Sequence, residues 1–80
     1  MNTPEFRILK DGTQEWRLNG KRHRVEGPSV IFPDGSRWWC LDGLTHRVGG
    51  PAVESAYGTR EWWLHGVLQW SQGRIVRTNH

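Results

Sequence analysis

The sequence predicts an all-β protein: a single twisted antiparallel sheet, a meander of about six to eight short strands. Three observations carry that reading. The chain repeats every 23 residues without insertion or deletion, from Asp11, Asp34 and Tyr57. Glycine turns recur at the same places in each copy, and Asp-Gly between apolar runs is a hairpin signal because glycine accepts the positive φ such turns need. No window shows the apolar spacing of a long helix. The 80 residues make one domain, 1–80, with a half repeat at 5–10 and repeats at 11–33, 34–56 and 57–80.

Each repeat opens on a turn: Asp11-Gly12, Asp34-Gly35, Tyr57-Gly58. Before the first two lie Phe6 to Leu9 and Val30 to Phe32. After the turns lie Glu15 to Leu18, Trp38 to Leu41 and Glu61 to Leu64, short aromatic and β-branched runs that read as strands. A second turn follows at Asn19-Gly20, Asp42-Gly43 and His65-Gly66. Gly27-Pro28 and Gly50-Pro51 come next, where a proline without an N–H belongs at a strand start or an edge. The third copy decays: Gln69-Trp70 stands where the others have His23-Arg24 and His46-Arg47, and Gly73-Arg74 replaces Gly-Pro. Terminal copies of arrays are often atypical. The stretch Gly73 to Thr78 reads as an edge strand guarded by Arg74 and Arg77.

Strand alternation assigns faces. Trp16 with Leu18, Trp39 with Leu41 and Trp62 with Leu64 are expected to form an inner ladder joined by Val30, Val53 and Val76. The opposite face holds the irregular positions: Glu15, Trp38 and Glu61, then Arg17, Cys40 and Trp63. Trp38 and Trp63 are not needed to continue the ladder. They are candidate contact anchors, because tryptophan is enriched at binding hot spots; the alternative is an aromatic covered by an arginine stem from a neighbouring strand.

The formal net charge is +3 and the pI about 9.8, with both signs interspersed. That is less than a dedicated DNA-wrapping protein carries. The lone Cys40 excludes an internal disulfide framework. Met1 to Lys10 has no apolar core of a secretory signal, and no run approaches the roughly 20 apolar residues of a membrane span. A cytoplasmic protein that engages no membrane is expected, with no cofactor.

Asn19-Gly20-Lys21-Arg22-His23, followed by Gly27 and then Phe32-Pro33-Asp34-Gly35, resembles the MORN repeat. The resemblance covers roughly residues 5–80 and implies a sheet built from 23-residue β-hairpin units. Arg24 and Arg47 stand where that family carries a glycine after the histidine, which argues against the lipid binding proposed for some of its members. The His-Arg-x-x-Gly-Pro variant is similar to repeats in small phage and large-virus proteins. This resemblance of type and size implies an inhibitor of host defence of the anti-CRISPR kind, acting in the host cytoplasm.

For catalysis, the one thiol–imidazole combination is Cys40 with His23, His46 or His65, and no repeat logic brings them together; no catalytic site is expected. Close-spaced Cys and His pairs for structural zinc are lacking, and the histidines are expected to bond main chain in the turn before Gly-Pro. There is no nucleotide-phosphate loop. The expectation is a non-enzymatic protein-binding module, a monomer or a homodimer through sheet edges. Its contacts are expected at Trp38, Trp63, Arg22, Arg24 and Arg47, meeting a host protein or nucleoprotein complex. The alternative is a small basic nucleic-acid binder that stacks bases on exposed tryptophans.

Overall fold

The computed structural model describes residues 3–73. Ten short strands follow in order: β1 (Glu5–Ile8), β2 (Gln14–Leu18), β3 (Lys21–Arg22), β4 (Val30–Ile31), β5 (Arg37–Trp38), β6 (Cys40–Leu41), β7 (Leu44–Thr45), β8 (Val53–Glu54), β9 (Arg60–Leu64) and β10 (Val67–Gln72). All pairing is antiparallel. One sheet runs β1-β2-β4-β5-β8-β9-β10 with β3 beside β2, and β6 with β7 form a separate ribbon. The fold is therefore all-β and mainly one antiparallel sheet, as expected, with more and shorter strands than the sequence suggests. The reason lies at Trp16 and Trp39. Trp16 donates its N–H to Ser29 and accepts from His23. The first half of its strand thus pairs with β4 and the second half with β3.

The turns fall where the glycines place them. Asn19-Gly20 has φ of 54° and 79°, Asp42-Gly43 52° and 80°, and His65-Gly66 50° and 80°. Positive φ at both central residues matches the right-handed twist of the flanking strands. The Asp-Gly turns are longer loops closed by paired bonds, Gly12 N to Leu9 O and Leu9 N to Thr13 O. The same pair recurs 23 residues later at Phe32, Gly35 and Ser36, and again at Ser55, Gly58 and Thr59.

The core departs from the expected ladder. Among the described residues the buried apolar side chains are Val30, Cys40, Ala52 and Val53, with Thr13, Glu15 and Ser29 as buried polar neighbours. Register explains why. Val30 faces Glu15 on one side and Trp38 on the other, and Val53 faces Trp38 and Glu61. Paired residues share a face. The valines therefore join Glu15, Trp38 and Glu61, not the Trp16, Trp39 and Trp62 series, and Cys40 is buried on that same side. Trp16, Trp39 and Trp62 are half-buried on the opposite face, Leu18 and Leu41 likewise, and Leu64 is exposed. Val76, Arg74 and Arg77 lie outside the described residues. The last described strand is β10, which the sequence reading did not assign.

Candidate interaction surface

On the tryptophan face, each ring carries a lid. The Arg24 guanidinium lies 3.8 Å from the Trp16 ring centre and that of Arg47 lies 4.0 Å from Trp39. Such stacking places a cation over the negative face of the indole. Each arginine also donates from Nη1 to a carbonyl just beyond its loop, Pro28 at 3.2 Å and Pro51 at 3.0 Å. The glycine of Gly-Pro makes room: a Cβ at Gly50 would stand 2.9 Å from Arg47 Cζ. The arginine-on-indole arrangement weighed for Trp38 and Trp63 thus occurs at Trp16 and Trp39. In the third copy Trp70 takes the arginine's position and packs against Trp62, the ring centres 4.4 Å apart and the planes tilted by 54°. Phe6 adds a ring beside Trp16 at 4.8 Å.

Histidines tie neighbouring copies together. His23 Nδ1 accepts the N–H of Asp42 at 2.9 Å, and His46 Nδ1 accepts that of His65 at 2.9 Å. The expected bond to main chain is present, but it reaches the hairpin turn of the next copy, not the turn before Gly-Pro. Main-chain bonds run alongside: Gly43 N to Arg22 O and Gly66 N to Thr45 O.

On the other face, the buried Glu15 carboxylate accepts from Arg17 Nε at 2.7 Å and Arg22 Nε at 3.2 Å. Burial pushes its pKa up, but the two guanidiniums prevail and hold the carboxyl below its usual range. Trp38 sits edge-on to Phe32 at 5.9 Å, in a cleft completed by Pro33 and Val53. Trp63 donates from Nε1 to Glu61 at 2.8 Å.

The five candidate contact residues therefore do not converge. Trp38, Trp63 and Arg22 lie on the Glu15 face, whereas Arg24 and Arg47 stack on tryptophans on the opposite one. Arg22, Arg24 and Arg47 have internal partners, and Arg24 and Arg47 also line the groove between loops 24–27 and 47–50. Sequence reasoning missed Val25 and Val48, which are 77% and 79% exposed at the same position of two successive loops. A groove between those loops is lined by Trp39, Leu41 and His46 as well as both valines. Their signal was present: a valine recurring at the repeat period inside a polar connection. Among the described residues no group of three or more His, Cys, Asp or Glu comes together, and no helix is long and apolar enough to cross a membrane. No family model, curated protein or solved structure matches the chain.

Proposed function

We propose that this chain is a non-enzymatic protein-binding module that presents loops 24–27 and 47–50 to its partner. The carrying observation is the pair of exposed valines, Val25 and Val48. Neither contributes to the buried core, and they flank a groove floored by Trp39 and Leu41. A small apolar centre rimmed by polar groups is the anatomy of a protein interface. In its finer form, resting on the resemblance to phage-type repeats, the partner is a host defence complex that the module occludes. The Trp38–Phe32 cleft offers a second contact region on the opposite face.

The nucleic-acid reading draws less support. Arg17 and Arg22 lie on Glu15, and Arg37 and Arg47 lie 2.8 and 3.8 Å from Glu54. Arginines neutralised by carboxylates release few counterions from a phosphate backbone. The deciding experiment cross-links the chain to its partner in a host extract, identifies the partner, and titrates it with wild type and with Val25→Asp/Val48→Asp. The double variant is expected to keep its melting temperature and lose at least about tenfold in affinity, or about 1.4 kcal/mol. Unchanged affinity removes this surface. A single-stranded oligonucleotide shifted at low salt and released at high salt would favour the nucleic-acid reading instead.

A further inference from the structure

We propose that the free edge of β1 pairs with β1 of a second copy, antiparallel and two-fold symmetric about Phe6. Among the described residues β1 stands at the end of the sheet and pairs with β2 alone, and all its residues are exposed. Its counterparts in the next copies do not have this freedom: β4 is held between β2 and β5, and β8 between β5 and β9. The Leu9 N–H points to Thr13 on the β2 side. Main-chain groups alternate sides along an antiparallel strand. Arg7 and Glu5 therefore bond inward, while Phe6 and Ile8 turn their N–H and C=O outward, with the Pro4 carbonyl completing the row.

Charge selects the register. Cross-strand pairs on β1 and β2 are Glu5 with Arg17, Phe6 with Trp16 and Arg7 with Glu15. In a dyad at Phe6, Glu5 of one copy faces Arg7 of the other, twice. On one face the row then reads Arg17, Glu5, Arg7, Glu15 across the two copies, with every neighbour of opposite sign. On the other face it reads Trp16, Phe6, Phe6, Trp16, extending the aromatic contact already present at 4.8 Å. Each Phe6 exchanges both main-chain bonds with its copy, and each Ile8 N–H meets a Pro4 carbonyl. Sliding by two residues sets Arg7 against Arg7 in one direction and Glu5 against Glu5 in the other, and like charges directly opposite are destabilising.

The far edge offers no such match. β10 carries no charge along Val67–Gln72 and is broken by a register shift between Leu68 and Trp70. Bulges are a way to blunt an edge.

The test is light scattering coupled to size exclusion over a concentration series to roughly 1 mM, where even weak complexes populate. The expected result is a monomer–dimer equilibrium. Ile8→Pro removes an outward N–H and leaves the β1–β2 bonds in place, and its dimer dissociation constant is expected to rise at least tenfold with an unchanged far-ultraviolet spectrum. In a Cys40→Ser background, Phe6→Cys is expected to oxidise to a covalent dimer, since directly opposed residues in a bonded pair lie within disulfide range; Gln72→Cys is expected not to. A monomer at every concentration, a ladder of larger oligomers, or equal cross-linking from both cysteines would overturn the proposal. None of these outcomes bears on the Val25 and Val48 loops, so the two readings fail separately.

Discussion

At Trp16 and Trp39 the chain leaves its strand, runs through His-Arg-Val-x-Gly-Pro, and returns with a small residue, Ser29 or Ala52, bonded to the tryptophan main chain. At Trp62 it does not leave. Trp70 lies directly across from Trp62, and Ser71 and Gln72 pair with Glu61 and Arg60. Those are the places on β9 that Val30 and Ile31 take on β2. The inner joints need a lid that covers an indole from a loop, and arginine suits this because its flat head stacks while its N–H groups still reach a carbonyl. The last joint needs no loop, so an aromatic just past a bulge in a continuous strand closes it. The same 23-residue pattern thus continues the array or ends it, depending on one short segment.

Four measurements break or sharpen that contrast. The largest effect belongs to the carboxylates at equivalent positions. Glu15→Ala strips the partner of Arg17 and Arg22 from a buried site and is expected to cost about 3 kcal/mol. Glu61→Ala, half-exposed with one bond to Trp63, is expected to cost about 1 kcal/mol. Equal shifts in urea midpoint would mean that the two ends are built alike. Acid supplies the second measurement. Because the folded pKa of Glu15 is depressed, its contribution is present above the ordinary glutamate value, about 4.3, and is lost as pH falls through the folded value. Melting temperature should hold at neutral pH and drop in acid, and Glu15→Gln should flatten that drop.

Next come the lids. Arg24→Met and Arg47→Met are each expected to cost about 1 kcal/mol. Trp70→Arg, which writes the inner lid into the last joint, is expected to stay within about 0.5 kcal/mol. A loss as large as 2 kcal/mol there would show that arginine and tryptophan are not interchangeable lids. The smallest effect is local. His46→Ala should weaken the molecule by about 1 kcal/mol or less and speed amide exchange at His65 while leaving Asp42 protected; His23→Ala should do the reverse. Uniform deprotection in either variant would dissolve the idea of separate joints.

Much of the fold was legible because it is written locally. Asn19-Gly20 and its two successors demand positive φ, and Pro28 and Pro51 fall just ahead of strands. The faces were not legible. Alternation places Glu15 and Trp16 on opposite sides but does not say which side the chain covers. Tryptophan suggests an interior, yet in a sheet of one layer the indoles are covered by arginine side chains, while a glutamate held by two guanidiniums goes under. Val30 was misplaced for a related reason. Its register depends on how many residues the 23–28 loop consumes, and a one-residue slip moves a strand's whole apolar set to the other face. The candidate contacts suffered likewise: Arg24 and Arg47 read as free basic groups until geometry set them on Trp16 and Trp39.

The histidine joint has a consequence for how the molecule can change. His23 and His46 take hold of a main-chain N–H, at Asp42 and at His65, and every amino acid except proline offers one. The joint is therefore held by the main chain and tolerates different side chains on arrival: Asp42 brings a carboxylate oxygen 3.5 Å from His23 Nδ1, and His65 a ring 4.4 Å from that of His46. Units joined this way can diverge at their turn tips, or be duplicated, without rewriting the connection between them. Identity then resides in the ends of the array and in the loops it displays.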